Sequence, residues 1–585
     1  MTEAAPRRDR LMRRAARLGR GLGRVLVTAL AATVVATVAR LLGPIAIRAG
    51  IDDGIAAGDR RAIVIAAAAF TALLAIQYLA QRAAQYSVAW MGERYLRMLR
   101  SRVFAHLMRL DMAFYGRTKA GVLVSRMTND IESVQDFAEE GAVTLVTNLL
   151  TLMGVTVAML LVDATIAGQV LLLIVVLIGL SWLFQRFAGR AYREVREQIG
   201  RVLATLQEGI TGVRVVQAFT SERAQAGAFG SVNEEYFEAN MNTARAVAWY
   251  FPAVAFMRIA GYGIVLYFGG TRVISGDLSF GTLVSLLLYL DWFFQPIINL
   301  SQVYNQMQSA AAALSKLFRL LDTPPAVADV EGAAALPDRL EGRVRLERLS
   351  FGYEPGLLVV EDVDLEVDAG ERIAIVGETG AGKSTLARLV LRFYDPVAGT
   401  VTIDGHDLRS VTLESRSRHA VLIPQEGFLF NGTLRENLAY ARPDAPDEDL
   451  WSVCQAIGID DWVRALPERF DTLVRERGGR FSAGERQLIA LARALLVDPA
   501  VIVLDEATAN LDPETEAKVE RALATLLEGR TAIVIAHRLR SAERADRVVM
   551  MDAGRVIALG THAQLVRESP AYARLVSVWE RGVLR

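Results

Sequence analysis

Cysteine, lysine and histidine are scarce in this chain. The scarcity of cysteine and histidine limits the kinds of covalent cross-link and functional site that the protein can contain. A single cysteine, Cys454, among 585 residues excludes an intramolecular disulfide bond and a cysteine-based metal site. Positive charge comes almost wholly from arginine, and 65 basic residues balance 65 acidic ones, so that the net charge is +0. A neutral chain gives no general reason to expect a nucleic acid as a partner. Of the five histidines, His537 alone lies in a recognisable motif.

Long apolar runs, by contrast, are abundant before residue 310. A helix needs about 20 apolar residues to cross a bilayer. Six stretches reach that length: 25–47, 62–81, 141–162, 164–186, 246–268 and 278–307. Three of them contain an ionisable residue, namely Arg40, Arg258 and Asp291. We therefore expect residues 25–321 to form an all-α domain of six transmembrane helices.

Arginine is concentrated at three places before or between these stretches. Residues 7–24 contain eight arginines, and the segments 92–140 and 186–245 are also rich in arginine. The positive-inside rule places such segments in the cytoplasm. We therefore predict a multi-pass protein of the inner (plasma) membrane with a basic cytoplasmic N-terminus, residues 1–24. We do not expect this terminus to be a signal peptide, since the following apolar segment is too long and lacks a convincing cleavage site.

The second half of the chain carries a glycine-rich phosphate-binding pattern. Two glycines bracket four residues and are followed by Lys and Ser, between an apolar strand at 372–376 and a helix at 385–393. In that position the backbone N–H groups and the helix dipole face phosphate oxygens. Lys383 reaches the β- and γ-phosphates, and the Ser384 hydroxyl binds Mg²⁺. The residues expected to hold the nucleotide here are Gly377, Glu378, Thr379, Gly380, Ala381, Gly382, Lys383, Ser384 and Thr385.

Other motifs of nucleotide chemistry follow within residues 344–585, an α/β region joined to the membrane domain by a linker at 322–343. A strand ending in Asp505 and Glu506 supplies an acid for Mg²⁺ and an acid that polarises the attacking water. Gln425 is expected to contact both Mg²⁺ and that water. His537 is expected to contact the γ-phosphate, and the Tyr353 ring to stack on adenine.

A second anion-binding helix N-terminus is predicted in the stretch 481–487, where Ser482 and Gly484 precede a helix. One nucleotide does not need two phosphate clamps in one domain. Two domains that face each other head to tail would use one clamp from each.

In this order the motifs resemble an exporter-type half-transporter of the ATP-binding-cassette family, and the resemblance covers nearly the whole chain. It implies six transmembrane helices with long cytoplasmic extensions, followed by an α/β P-loop ATPase domain, with ATP and Mg²⁺ as ligands. It also implies that Asp512 belongs to a loop at the nucleotide, and that two cassettes enclose two ATP molecules. Coupling turns are expected near 114–121 and 208–218, the second docking on the partner's cassette. The implied function is ATP-driven export of an amphipathic molecule, drug or lipid.

The signature motif departs from the family pattern Leu-Ser-Gly-Gly-Gln. Phe481, Ala483 and Glu485 differ, whereas Glu506 and His537 are intact. Such a combination favours a heterodimer with a second half-transporter subunit over a homodimer that tolerates the substitutions. Three other readings remain open: an importer with the exporter fold, a soluble-type cassette ATPase of translation or DNA repair, and an inactive scaffold. The six membrane stretches disfavour the second, and the intact acid and histidine disfavour the third.

Substrate contacts are expected from the fifth and sixth stretches. Ionisable residues inside a membrane span are functional candidates by default. Asp291 is predicted either to meet a cationic substrate or to pair with Arg40, Arg82 or Arg258. Trp249 and Trp292 are the aromatic candidates, with helix packing as the alternative role.

Overall fold

The structure, a computed structural model, describes residue 14 and residues 20–425, 427–475, 478–505, 512–536 and 538–583. The chain forms two compact units. The first, here the membrane unit, comprises Met1–Ala105 and Val124–Asp322, and the second, the cassette unit, comprises His106–Leu123 and Thr323–Arg585. A short segment between two membrane helices therefore belongs with the cassette, and the chain passes between the units three times.

Six helical stretches are long and apolar enough to cross a membrane, which confirms the expected number of spans: Gly23–Ala56, Arg60–Leu107, Ala120–Val162, Ala164–Thr211, Glu222–Ile274 and Phe280–Leu321. Their helices are α1 (Gly23–Ala49), α2 (Arg60–Leu107), α4 (Ala120–Ser125), α5 (Ile131–Asp136), α6 (Ala142–Val162), α7 (Ala164–Thr211), α9 (Glu222–Ile264), α10 (Gly270–Ile274) and α11 (Phe280–Leu321). The short helices α3 (Met112–Arg117) and α8 (Val213–Ala218) lie in the two arginine-rich segments that were predicted to be cytoplasmic. With 48 residues, α2 and α7 are each about 72 Å long, more than twice a bilayer core. The predicted helix extensions are therefore present.

Acidic side chains fix the turns opposite these extensions. Asp52 accepts hydrogen bonds from the Ser279 hydroxyl at 2.5 Å and from the Gly281 N–H at 2.8 Å, which joins the end of the first stretch to the start of α11. Asp163 caps the N-terminus of α7 and pairs with Arg272 at 2.6 Å. The first set of contacts holds the end of the first span beside the start of α11, and the second holds the start of α7 beside α10, at one end of the bundle.

Farther along α11, buried aromatic residues form the core of the membrane unit. Tyr289, Phe293 and Phe294 are almost wholly buried, and the Tyr289 hydroxyl donates to the Leu41 carbonyl of α1 at 2.6 Å. Pro44, three residues beyond Leu41, lacks the N–H that would close the helical ladder at this turn. The aromatic face of α11 thus packs against α1 where the latter is locally weakened.

The cassette unit contains two main sheets. Its strands are β1 (Val344–Phe351), β2 (Val360–Val367), β3 (Arg372–Val376), β4 (Ala398–Ile403), β5 (His406–Asp407), β6 (Ala420–Ile423), β7 (Gly432–Thr433), β8 (Leu473–Val474), β9 (Val501–Asp505), β10 (Thr531–Ile535), β11 (Arg547–Asp552) and β12 (Arg555–Gly560). The larger sheet has the order β12-β11-β3-β10-β9-β6, with all neighbours parallel except β11 and β12. The smaller sheet, β2-β1-β4-β5, is antiparallel. The predicted α/β ATPase domain is confirmed.

Helices cover the larger sheet: α12 (Lys383–Val390), α13 (Leu413–His419), α14 (Leu434–Leu438), α15 (Asp447–Ile457), α16 (Asp460–Ala465), α17 (Ala483–Val497), α18 (Pro513–Leu527), α19 (Leu539–Glu543), α20 (His562–Glu568) and α21 (Pro570–Val583). Because the carboxyl ends of parallel strands meet at one edge, the ends of β3, β6, β9 and β10 lie together. The residues that follow these strands are therefore neighbours, although they are far apart in sequence.

The short helix α3 is held within the cassette unit by polar contacts at its start. Asp111 caps it by accepting from the Phe114 N–H at 3.0 Å, and its second oxygen accepts from the Ala326 N–H. His106 lies 3.1 Å from the Thr323 carbonyl oxygen. Ala113 packs against the apolar core between the two sheets. The predicted coupling turn at 114–121 overlaps α3.

Candidate nucleotide-binding site

The phosphate loop lies between buried β3 and α12, with a backbone that requires glycine. Gly377 has φ +150°, and a Cβ there would lie 2.2 Å from the Met551 carbonyl oxygen of the neighbouring strand. Gly380 and Gly382 have φ values of +89° and +97°, which side chains rarely adopt. The loop is therefore a concave run of backbone from which N–H groups can face an anion.

The helix after the loop is displaced from its expected bounds of 385–393. It begins two residues earlier because Gly382 occupies the position before its first turn. It ends three residues earlier because Arg392 has a left-handed backbone, φ +46°, which a helix cannot continue. The buried Arg392 guanidinium donates to the carbonyls of Leu408 and Val411 at 2.7 and 2.9 Å. These contacts hold the unusual backbone in place.

Lys383 lies within the loop that it is expected to serve. Its side chain is buried, and Nζ donates to the carbonyl oxygens of Gly377 and Glu378, both at 2.8 Å. Burial lowers the pKa of Lys383, and the charge of nearby Asp505 acts in the opposite direction. A buried ammonium ion inside a cradle of backbone N–H groups fits a polyphosphate, which would supply the negative charge that stabilises it.

Asp505 and Gln425 share one edge of the sheet with the loop. Asp505, at the end of β9, pairs in register with Ile535, which in turn pairs with Ile375 beside the loop. Gln425 follows β6 by one residue beyond Pro424. A carboxylate, an amide and the Ser384 hydroxyl are oxygen donors of the kind that Mg²⁺ accepts, so these residues fit the ion. It would neutralise charge on the β- and γ-phosphates.

Tyr353 is tied to the phosphate-loop helix. Its hydroxyl lies 3.0 Å from the Thr385 hydroxyl and accepts from Arg388 at 3.2 Å. Its ring packs edge-on against Phe351 and Tyr394 at centroid distances of 5.1 and 5.3 Å. The aromatic ring therefore lies beside the start of α12, and its stacking on adenine stays a prediction.

Arg117 of α3 was not expected at this site. Its guanidinium donates to the Tyr353 carbonyl oxygen at 2.8 Å. An arginine 236 positions away carries no local sequence signal of such a contact. The position of α3 within the cassette unit is what reveals it.

Ser482 caps α17 at the second predicted anion-binding terminus. The Ser482 hydroxyl accepts from the Glu485 N–H at 3.2 Å, and the Glu485 carboxylate accepts from the Ser482 N–H at 2.7 Å. Glu485, one of the departures from the family pattern, thus completes a capping box. Ser482 and Ala483 are both exposed. The capping box therefore fixes the start of α17 and leaves the outer side of Ser482 exposed to solvent.

Gly484 is required here by packing. A Cβ on Gly484 would lie 1.9 Å from the Thr515 methyl carbon of α18. Asp512 fixes Thr515 in turn, because it caps α18 by accepting from the Thr515 N–H at 3.0 Å. Hydrogen bonds from Thr515 hold the pKa of Asp512 below its usual range. Gly484 and Asp512 thus belong to one contact between α17 and α18.

The segment around Gln425 also contacts the signature helix. The buried Gln487 side chain donates to the Pro424 carbonyl at 3.2 Å. A Cβ on Gly427 would lie 2.5 Å from the Arg486 carbonyl oxygen. The two motifs, predicted separately, are therefore in direct contact.

Two residues with predicted catalytic roles, Glu506 and His537, fall outside the described residues. The roles assigned to Glu506 and His537 stay predictions. Around them, the structure describes Asp505 at the end of β9 and Ala536 after β10.

In the membrane unit, the structure joins Asp291 to Arg258 rather than to Arg40 or Arg82. The two side chains form an ion pair at 3.5 Å, and each is about half exposed. Arg40 instead lies over the Trp292 ring, 4.6 Å from its centroid. Trp249 is half exposed on α9, and within the described residues no ring contact joins it to Trp292. Any role of these residues toward a substrate stays a prediction.

This fold and site define a membrane-embedded ATPase. Residues 26–297 match the ABC transporter transmembrane region, and residues 360–509 match the ABC transporter domain. The chain belongs to the ABC transporter family, with both parts in one polypeptide. It therefore hydrolyses ATP in a reaction coupled to transport.

Relatives with known sequences cover most of the chain. It is 37% identical to the uncharacterized ABC transporter ATP-binding protein YknV of Bacillus subtilis over 84% of this chain and 81% of that protein. It is 33% identical to an ATP-dependent lipid A-core flippase of Syntrophus aciditrophicus over 83% of this chain and 81% of that protein. A multidrug efflux ATP-binding/permease protein of Mycobacterium bovis is 36% identical over 94% of this chain, which spans only 46% of that longer protein.

A solved structure shares the fold. A bacterial Atm1-family ABC exporter with ATP bound superposes with a TM-score of 0.75 at 28% identity, covering 95% of this chain and 98% of the other. The likeness supports an exporter fold for the whole chain.

Proposed function

We propose that this chain is one half of an ATP-driven exporter that works as a pair of chains in the plasma membrane, with the cassette in the cytoplasm. The observation that carries the proposal is the hydrogen bond from Arg117 to the Tyr353 carbonyl. It joins the segment between two spans to the residue predicted to stack on adenine. A structural change at the nucleotide is therefore expected to move α3 and, through the short backbone segments on either side of it, the ends of α2 and α4.

Two exposed surfaces favour a paired assembly. Ser482, at the capped end of α17, presents its outer face to solvent. In the second cytoplasmic segment Val213, Val215 and Phe219 are exposed by 44%, 61% and 77%. Such an apolar turn is expected to bind a partner. We assign it to the cassette of a second chain, and each ATP to the space between one phosphate loop and the partner's signature helix.

We favour a heterodimer because of Ala483. It lies at the first turn of α17 on the exposed side, next to Ser482. Its Cβ occupies space where the family glycine lets backbone approach a phosphate of the partner's nucleotide. A site built on this signature is therefore expected to be weak, and the site built on this chain's phosphate loop strong.

The proposed cycle follows from differential binding of ATP. ATP stabilises the state in which two cassettes close on each other and so shifts the membrane helices toward an outward-facing arrangement. Lys383 stabilises charge on the γ-phosphate, and Glu506 and His537 are assigned to orient the attacking water. Hydrolysis removes the bridging γ-phosphate and allows the cassettes to separate.

An amphipathic drug or lipid is the proposed cargo. Support comes from the names of the relatives, a lipid flippase and a multidrug efflux protein, and from charged groups among the apolar spans. Molecules that are partly apolar reach such a site from within the bilayer.

The test is the mass and Mg-ATP hydrolysis of this chain purified alone, beside Glu506→Gln. A monomer or a nearly inactive dimer would support a missing partner subunit. A stable dimer with two equally active sites, silenced by Glu506→Gln, would overturn the heterodimer. Hydrolysis that no membrane-soluble compound stimulates, and no movement of such compounds into proteoliposomes, would overturn amphipath export.

A further inference from the structure

Away from their ends, the six apolar stretches contain three charged side chains, Arg40, Arg258 and Asp291, and an ion pair accounts for two of them. Arg258 of α9 and Asp291 of α11 neutralise each other at 3.5 Å. Arg40 of α1 has Trp292 as its neighbour. Among the described residues it has no hydrogen-bond or ion-pair partner. One positive charge in this region is therefore uncompensated.

These groups lie near the middle of the bilayer. Asp291 is eleven residues beyond Phe280, the first residue of α11. At about 1.5 Å per residue that is roughly 17 Å, close to half of a hydrocarbon core of about 30 Å. Trp292 contacts Arg40, which puts the guanidinium at the same depth. A cation at that depth is energetically unfavourable unless it meets water or an anion.

Packing holds the Arg40 guanidinium in place without using its donors. The ring of Trp292 lies 4.6 Å away and also approaches Gly43, one helical turn along α1. The Tyr289 hydroxyl bonds to the Leu41 carbonyl and joins the same two helices. Within the part of the chain that the structure describes, none of the five N–H donors of this guanidinium has a hydrogen-bond partner, so they are available to another group.

We propose that this site selects an anionic amphipath, whose carboxylate or phosphate headgroup binds the Arg40 edge while its apolar body lies along the spans. The inference rests on the proposed function and specifies its substrate class. A guanidinium edge matches anionic oxygens in pairs. A cationic headgroup is disfavoured for two reasons: it would have to displace Arg258 from Asp291, and it would then lie close to the positive charge of Arg40.

The experiment measures ATP hydrolysis by the transporter in nanodiscs, with its partner subunit if it needs one. Four probes with the same dodecyl chain are titrated: dodecyl phosphate, dodecanoate, dodecylphosphocholine and dodecyltrimethylammonium. We expect both anions to stimulate at concentrations about ten-fold below the cation, the difference that one charged hydrogen-bonding contact supplies. The phosphate and carboxylate arms show which headgroup is preferred.

Variants of Arg40 and Asp291 separate the effect of charge from that of shape. Arg40→Gln is expected to raise the half-maximal concentration of the anionic probes about ten-fold, relative to its own unstimulated rate. Arg40→Lys keeps the charge and is expected to fall in between. Asp291→Asn frees Arg258 and is expected to lower the half-maximal concentration for anions, a gain that a folding defect cannot mimic.

Preferential stimulation by the cation, or an unchanged anion response in Arg40→Gln, would overturn the inference and leave export intact. A lack of response to every probe by an active ATPase would overturn amphipath export together with it. Should Arg40→Gln fail to fold, the wild-type probe order and Asp291→Asn still decide.

Discussion

Arg117 donates a hydrogen bond to the backbone carbonyl of Tyr353 at 2.8 Å, so a residue between two membrane helices holds the loop that is assigned to adenine. The contact is with a main-chain atom, and it therefore survives any change of the Tyr353 side chain. Both residues belong to the cassette unit, so the contact fixes the segment His106–Leu123 to this loop within that unit.

Loss of this contact is expected to weaken ATP binding. A hydrogen bond from an exposed charged group contributes about 1 kcal/mol, so Arg117→Ala should raise the KM for ATP about five-fold with a smaller change in kcat. Lys119→Ala is the matched control, since it removes an exposed cation two residues away in the same segment. Steady-state hydrolysis over a range of ATP concentrations measures both. Equal KM values for the two variants would contradict the assignment.

The ring of Tyr353, more than its hydroxyl, is expected to bind the nucleotide. Tyr353→Phe removes the contacts with Thr385 and Arg388 but keeps the aromatic face, and should change ATP affinity less than about three-fold. Tyr353→Leu removes the ring and should weaken binding about ten-fold, as expected for a stacking contact of about 1 kcal/mol or slightly more. Titration with a fluorescent ATP analogue distinguishes the two. A larger loss in the Phe variant would assign the binding to the hydroxyl.

The contact between α17 and α18 leaves no room for a methyl group at Gly484. Gly484→Ala would place its Cβ 1.9 Å from the Thr515 methyl carbon, and overpacking of this kind typically destabilises by about 1–3 kcal/mol. Thr515→Ser removes the methyl group and should restore part of the thermal stability in the double variant. Melting temperatures of the two single variants and the double variant form a closed cycle. Purely additive effects would show that the clash is relieved elsewhere.

Acid should weaken the cassette at Glu371. Burial opposes ionisation of this carboxyl, but hydrogen bonds from Arg547 and from the Asp368 N–H outweigh it and lower the pKa of Glu371 below its usual 4.5. The stabilisation is therefore complete above about pH 4.5 and is lost as pH falls through the lower folded-state value.

Thermal unfolding at neutral pH and near pH 4 measures this linkage. Arg547→Met leaves the partly buried Glu371 carboxylate without its charged partner, so it should lower the melting temperature at pH 7. In Glu371→Gln the acid-dependent part of the loss should shrink. An identical pH dependence in wild type and Glu371→Gln would assign the acid sensitivity to other carboxyl groups.

The sequence was most informative where one local pattern determines the structure. The phosphate loop needs glycine at positive φ, and Gly380 and Gly382 have it. The prediction of six helical spans was confirmed because the length and hydropathy of a stretch are enough to identify a helix that can cross a membrane. The predicted start and end of α12 were wrong by two and three residues. The helix ends early because Arg392, held by the carbonyl groups of distant residues, has a left-handed backbone.

Contacts between distant segments were not predictable in the same way. Nothing near Arg117 in the sequence indicates Tyr353, and nothing near Gly484 indicates Thr515, because both contacts depend on how separate elements pack. For Asp291 the candidate partners were three arginines, and only packing of α9 against α11 selects Arg258.

The segment His106–Leu123 lies with the cassette although membrane helices flank it on both sides. A single cut in the backbone therefore cannot separate the part of this protein that hydrolyses ATP from the part that crosses the bilayer. A polypeptide beginning at Thr323 would lack Asp111, which accepts a hydrogen bond from the Ala326 N–H, and Ala113, which packs against the apolar core. It would therefore expose part of that core to water. One continuous chain carries both ATP hydrolysis and membrane crossing, but no single position in the sequence separates the residues responsible for the one from those responsible for the other.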